Sequence, residues 1–254
     1  MLSKKINILS AIGIILIIAA ICVIKQYVYI NGQIYSVHCQ EIKLDICYSK
    51  HLNLERLKYF DNLEEISISF LSQEDMKKIG EILKGNDKIK IINIYICGAV
   101  DCSFLNYLPN LEKIHILETE VDFSNVVENT SLENLEIINC NVKGIENLNL
   151  FYNLNSISIS ICQEVDMLNF TNLKYLKTMK LITIGAIKNI EELSSLKELE
   201  SLTIRNIPNF NIEYDILDPM LNLKRIEVYE SMISDDDKEL LNKKGVSVEI
   251  IPDK

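Results

Sequence analysis

Apolar and polar positions along this chain recur in a unit of about two dozen residues, longer than the period of any single helix or strand. Nine nonamers align without gaps: CQEIKLDIC from Cys39, LEEISISFL from Leu63, IKIINIYIC from Ile89, LEKIHILET from Leu111, LENLEIINC from Leu132, LNSISISIC from Leu154, LKTMKLITI from Leu176, LESLTIRNI from Leu199 and LKRIEVYES from Leu223. Their starts lie 24, 26, 22, 21, 22, 22, 23 and 24 residues apart. Positions one, four and six are apolar in all 27 instances, against 48% hydrophobic residues in the chain, so composition does not produce the pattern. A fixed period of this length predicts a stacked repeat architecture.

Within a unit, apolar residues at positions four and six, such as Ile114 and Ile116, predict one inward face of a short strand. Upstream, the apolar spacing changes to three, as in Leu54/Leu57/Phe60/Leu63, Leu105/Leu108/Leu111, Leu148/Phe151/Leu154, Leu193/Leu196/Leu199 and Leu217/Met220/Leu223. That spacing suits short 3₁₀-like or irregular turns better than an α-helix. Neither half of a unit buries its apolar face alone. Stacking therefore predicts a parallel sheet on one side, a back of short segments on the other, and a continuous core between them.

The nonamers and their lead-in leucines resemble leucine-rich repeats, specifically the class of about 22 residues found in internalin-like bacterial surface proteins, over Leu54 to Ser231. The resemblance implies an α/β solenoid with a curved parallel sheet and short convex 3₁₀, helical or irregular segments. It also implies a binding role, with protein or peptide as the ligand class. One departure stands out. Where the family usually places asparagine at the ninth position, this chain has Cys47, Leu71, Cys97, Thr119, Cys140, Cys162, Ile184, Ile207 and Ser231. Leu71, Ile184 and Ile207 cannot hydrogen-bond the turn, which predicts irregularity around those repeats.

The ends differ from the repeats. Ile6 to Ile24 is 19 residues without a charge, about 28 Å as a helix and close to the thickness of a bilayer core, so residues 1–25 are expected to form an N-terminal transmembrane helix. Lys4 and Lys5 before it favour a cytoplasmic N-terminus and an extracytoplasmic solenoid. A cleaved signal peptide is the rival reading, but no Ala-x-Ala site precedes Lys25; Cys22 offers a lipoprotein reading, which bulky Ile21 disfavours. Residues 26–53 then form a linker and N-terminal capping hairpin or half-repeat, 54–233 the repeats and 234–254 the C-terminal cap. Ser72 with Asp75 predicts a capped helix running to Gly85, and Ser234 opens a second helix to about Lys243, followed by a last strand with Val246, Val248 and Ile250 on one side.

Charge and chemistry narrow the function. A net charge of −10 argues against a nucleic-acid partner. Four of the seven cysteines share the ninth position, where they read as turn-filling thiols; no Cys-x-x-Cys pair suggests zinc, and a Cys39–Cys47 bridge is the one disulfide the spacing offers. His38, His51 and His115 share no helical face and neighbour no nucleophile motif, and the acidic residues read as solvated surface. No phosphate-cradling glycine loop or calcium loop is present. No catalytic, cofactor-binding or metal site is expected.

The chemistry that remains is a surface. Side chains alternate along a strand, so the fifth and seventh positions face away from the core. These columns nominate Asn93, Tyr95, His115, Leu117, Glu136, Ile138, Ser158, Ser160, Lys180, Ile182, Arg205 and Tyr229 as partner-binding residues. Tyr95, Leu117 and Ile138 form an apolar stripe, Ser156, Ser158 and Ser160 a polar middle, and Lys180, Arg205 and Arg225 a mildly basic end. The leading reading is a membrane-anchored recognition module. A self-associating envelope scaffold ranks second and an enzyme third, because nothing nominates a reaction.

Overall fold

The computed structural model describes residues 26–30, 32–45, 53–161 and 163–252. The expected membrane segment at 6–24 lies outside the described residues, as do Cys22, Cys47, His51 and Cys162; among the described residues no helix is long and apolar enough to cross a membrane.

The chain opens with an antiparallel hairpin of β1 (Tyr27–Ile30) and β2 (Gln33–Ser36). It then runs through β3 (Glu41–Asp45), β4 (Glu65–Ser69), β5 (Ile91–Tyr95), β6 (Val100–Asp101), β7 (Lys113–Leu117), β8 (Glu120–Asp122), β9 (Asn134–Ile138) and β10 (Asn141–Lys143). The remaining strands are β11 (Ser156–Ser160), β12 (Glu164–Asp166), β13 (Thr178–Ile182), β14 (Ala186–Lys188), β15 (Ser201–Arg205), β16 (Arg225–Tyr229) and β17 (Ser247–Ile251). Among the described residues, ten of them form one parallel sheet in the order β3-β4-β5-β7-β9-β11-β13-β15-β16-β17. This front sheet is the column of nonamers: position three of one repeat pairs with position three of the next, as Ile91↔Lys113↔Asn134.

Burial follows the alternation. The side chains at positions four and six, from Ile66 and Ile68 through Ile226 and Val228, are almost wholly buried, each stabilising the fold by about 1.5–3 kcal/mol through lost apolar hydration. On the back, apolar residues spaced by three fall on the inward edge of 3₁₀ segments at Leu54–Tyr59, Cys102–Tyr107, Ile145–Leu150, Met167–Phe170 and Ile190–Ser195. A 3₁₀ helix has three residues per turn, so residues i and i+3 eclipse and both meet the core. Phe123 and Phe151, both buried, pack edge to face at 6.2 Å between adjacent repeats.

Two longer helices break the pattern where capping residues open them. Ser72 accepts the Asp75 amide at the start of α1 (Gln73–Ile82), and Gly85 follows with φ +75°. A single turn, α2 (Tyr214–Leu217), replaces the 3₁₀ segment before β16. Ser234 likewise accepts the Asp237 amide before α3 (Asp235–Lys243), which precedes β17.

The turns after the front strands follow the expectation based on the ninth position only in part. Cysteine and threonine there do bond the turn: Cys140 Sγ donates to the Ile138 and Ile116 carbonyls, Cys97 Sγ to the Tyr95 carbonyl, and Thr119 Oγ1 accepts the Cys97 amide. Around Leu71 and Ile184, however, the front sheet keeps its full five-residue register, contrary to the expected irregularity. The preceding eighth residue supplies the reason. Phe70 and Thr183 adopt the left-handed conformation, and their amides donate to the Tyr95 and Arg205 carbonyls of the next strand, so the ladder continues without a side-chain acceptor. Ile96, Glu118 and Asn139 do the same. Irregularity does occur near Ile207, where β15 pairs with β16 only from Ser201 to Ile204.

The back carries two further small parallel sheets, β6-β8-β10 and β12-β14. Between them the side chain of Gln163 substitutes for strand pairing. Its Oε1 accepts the Val142 amide at 2.8 Å, and its Nε2 donates to Asn141 Oδ1 at 2.8 Å and to the Val142 carbonyl at 3.2 Å. From β6, β8 and β12 the chain turns on an aspartate, with Asp101, Asp122 and Asp166 each accepting the amide two residues on. After β10 and β14 it turns on a left-handed residue instead, Gly144 (φ +67°) and Asn189 (φ +50°).

Candidate binding face

The outward residues of the front sheet form rows because the strands are in register. The fifth-position row runs Asn93, His115, Glu136, Ser158, Lys180 and Thr203, and the seventh-position row Tyr95, Leu117, Ile138, Ser160, Ile182 and Arg205. Eleven of the twelve nominated residues therefore lie on one face; Tyr229, beyond the paired register of β15 and β16, is half-buried and packs against the core. Tyr229 on β16 stands six strand spacings from Tyr95, about 29 Å, so the two ends cannot serve one small ligand.

Tyr95, Leu117 and Ile138 are side by side and half-buried, leaving apolar surface open. The Tyr95 and His115 rings meet edge to face at 5.5 Å. His115 Nδ1 lies 3.6 Å from Glu136 Oε2, and its Nε2 is buried with no hydrogen-bond partner among the described residues. Burial, followed by the charge of Glu65, raises the Tyr95 phenol above its ordinary pKa, so it is a neutral hydrogen-bonding group at pH 7. Asn93 differs from the exposed contact residue expected: it is only 8% exposed, and its amide donates to Glu65 Oε1 at 2.7 Å and Ser67 Oγ at 3.3 Å. It braces the face.

Beside this stripe is a shallow depression of about 200 Å³, floored by Ser156 and Ser158 and flanked by Glu136 and Lys180. Lys113 and Asn134 complete its rim. These third-position residues were not nominated from the sequence, although the same alternation turns them outward. Lys180 is exposed and has no ion-pair partner among the described residues. Of the expected basic end, only Lys180 stays open; the two arginines are paired. Arg205 pairs with the buried Glu227, Arg225 lies 3.3 Å from Glu227, and Arg225 Nε donates to Glu249 Oε2 at 3.1 Å. Glu249 comes from the cap strand β17 and is outward by the alternation of Val248 and Ile250.

Away from this face, the His38 Nδ1 atom lies 2.8 Å from Asp61 Oδ2. Among the described residues no three His, Cys, Asp or Glu side chains converge as metal ligands. Burial raises the thiol pKa of Cys97, Cys140 and, furthest, Cys102. These thiols are consequently protonated and poor nucleophiles. The Cys39–Cys47 pairing involves a residue outside the described ones.

The sequence matches no family model and, at a significant level, no curated protein. Solved structures do match in fold. An internalin C2 from Listeria monocytogenes superposes with a TM-score of 0.53 at 19% identity, over 68% of this chain and 74% of that one. The fold is that of the leucine-rich repeats. A TLR13–ssRNA13 complex superposes with a TM-score of 0.62 at 13% identity, covering 85% of this chain but only 33% of that one. This leucine-rich-repeat chain thus spans about a third of the length of the TLR13 chain, and at these identities the likeness concerns the fold alone.

Proposed function

We propose that the protein is a recognition module that binds a protein or peptide on the outward, concave face of its front sheet, with residues 6–24 anchoring it in a membrane and the solenoid on the extracytoplasmic side. The observation that carries the proposal is the placement of Tyr95, Leu117 and Ile138 on three adjacent strands beside a polar depression. An apolar stripe rimmed by serine, asparagine and two opposite charges is the composition of a protein-contact centre and its rim. A peptide laid across the strands would place apolar side chains on the stripe, a basic group near Glu136 and an acidic group near Lys180. Ribonucleic acid, the ligand of the TLR13 complex, is disfavoured here by the net charge of −10 and by the pairing of Arg205 and Arg225 with glutamates.

The test is site-specific photocrosslinking in the native cell, with a benzophenone amino acid at Leu117 or Ile138 on the proposed face and, as controls, at Tyr175 or Leu221, which are 62% and 84% exposed elsewhere. The proposal expects a discrete, nuclease-resistant adduct of a different protein from Leu117 and Ile138 only. Adducts of the chain with itself would favour the scaffold reading. Nuclease-sensitive adducts would favour a nucleic acid, and adducts of equal yield from all four positions would refute a defined face.

A further inference from the structure

The hairpin that opens the described chain turns apolar side chains toward solvent. In β1 the alternation buries Val28 and Ile30 and leaves Tyr27 and Tyr29 51% and 56% exposed. Antiparallel register sets Ile34, 71% exposed, opposite Tyr29, so Tyr27, Tyr29 and Ile34 share one face. Tyr59, 57% exposed, ends the adjacent 3₁₀ segment and borders with Tyr27 an open depression of about 520 Å³. Two cations lie beside this face: Lys58 Nζ is 5.7 Å from the Tyr59 ring centre and also 3.3 Å from Glu55 Oε2, and Arg56 Nη1 donates to the Tyr29 carbonyl at 2.7 Å. An outward strand face of a soluble hairpin is ordinarily polar. Here it is aromatic and aliphatic, with basic groups beside it.

Charge is divided in the same sense. Residues 25–60, which follow the uncharged run, hold five Lys/Arg and three Asp/Glu, a net of +2; residues 61–254 hold 19 and 33, a net of −14. The end of the molecule that carries the tyrosines has a slight excess of positive charge, and the body is acidic. Chain length then fixes what can cover the face. Tyr27 follows Ile24, the last residue of the uncharged run, by three residues, at most about 11 Å of extended chain. The polar layer outside the hydrocarbon core is about 5–8 Å thick on each side. Tyrosine, arginine and lysine are side chains that settle at that depth, ring toward the hydrocarbon and polar tip toward water.

We propose that this face, formed by Tyr27, Tyr29, Ile34 and Tyr59, lies in the headgroup layer of a phospholipid bilayer with Arg56 and Lys58 toward the phosphates, and holds the solenoid at a fixed attitude to the membrane. It rests on reading residues 6–24 as the membrane-spanning segment. The acidic repeats then stack away from the lipid, and the face binds a surface rather than a protein.

The chain contains no tryptophan, so a single introduced indole reports its own position. The full chain is reconstituted in phosphatidylcholine vesicles whose lipids carry bromine near the headgroup or deep in the acyl chains, and fluorescence is read from Ile14→Trp, Tyr29→Trp, Tyr59→Trp and Tyr175→Trp. The expected result is loss of most Ile14→Trp emission to deep bromine, loss of most Tyr29→Trp and Tyr59→Trp emission to shallow bromine, and no loss from Tyr175→Trp. Quenching of Ile14→Trp without quenching of Tyr29→Trp and Tyr59→Trp would overturn the surface while leaving the anchor standing. Absence of Ile14→Trp quenching would remove the anchor and the inference together. Equal quenching of Tyr29→Trp and Tyr175→Trp would show lipid contact without orientation, and a Tyr29→Trp emission shift that follows protein concentration rather than lipid would assign the face to a second copy; both overturn the proposal.

Discussion

Replacing Gly144 by alanine is expected to destabilise the protein by about 2–5 kcal/mol, the sum of two separable penalties. The residue holds φ +67° where the chain leaves β10, a conformation costing an L-residue about 1–2 kcal/mol. An added Cβ would also stand 2.4 Å from the Ser124 amide nitrogen and 2.8 Å from the Phe123 carbonyl carbon, and overpacking of this kind costs about 1–3 kcal/mol. Three other glycines separate the terms. Gly85 has φ +75° and nothing within 4 Å, so Gly85→Ala should show the conformational penalty alone. Gly80 lies in α1 with its notional Cβ 2.7 Å from Phe104 Cβ, so Gly80→Ala should show the overlap less the roughly 1 kcal/mol that alanine contributes in a helix. Gly98 has neither constraint and should change stability by less than about 0.5 kcal/mol. Thermal unfolding of the full chain by far-ultraviolet circular dichroism reads the series, at about 2–4 °C per kcal/mol for this size. Gly144→Ala is therefore expected to lower Tm by roughly 4–20 °C. A loss equal to that of Gly85→Ala would refute the contact argument, and one equal to that of Gly98→Ala would refute both.

Other perturbations test separate links. Ser234→Ala should cost about 1 kcal/mol by removing the acceptor of the Asp237 amide, seen as a lower denaturant midpoint, and an unchanged midpoint would show that the cap does not hold α3. In variants retaining one cysteine each, Cys102 should react with a thiol reagent no faster than the protein unfolds while half-buried Cys39 reacts in the native state; comparable native rates would contradict the burial of Cys102. The Asp166 carboxyl is held below its ordinary pKa by the Asn189 amide and the Leu168 N–H. A depressed folded pKa stabilises above the unfolded value and is lost as pH falls through the folded one. The Tm difference between the native protein and Asp166→Ala should accordingly be largest near pH 7 and shrink below about pH 4; a difference that grows on acidification would reverse the assignment.

The front of the molecule was legible because one period controls it. Positions four and six of each nonamer, once aligned, fix strand, face and register together, and Tyr95, Leu117 and Ile138 fall side by side as the alternation requires. What escaped the sequence depends on contacts between repeats. The asparagine sought at the ninth position occurs instead just before the first: Asn110, Asn153 and Asn222 donate to the Asp87, Thr130 and Lys197 carbonyls one repeat back. The left-handed eighth position was hidden because Phe70, Ile96 and Thr183 are residues that ordinarily avoid it. The charges of Arg205 and Arg225 are met because the register brings Glu227 of β16 to Arg205 of β15 and Glu249 of β17 to Arg225 of β16.

The Gln163 bridge marks a difference between the front of the molecule and its back. On the front, one backbone ladder runs from end to end, whereas on the back, among the described residues, the two small sheets share no strand pairing and are joined by the Gln163 amide and by packing of Ile145–Leu150 against Met167–Phe170. The backbone ladder is thus continuous on the front and interrupted on the back between those two sheets. A ligand spanning the outward face would lie on one continuous sheet, with the only break in backbone pairing among the described back strands directly behind its middle.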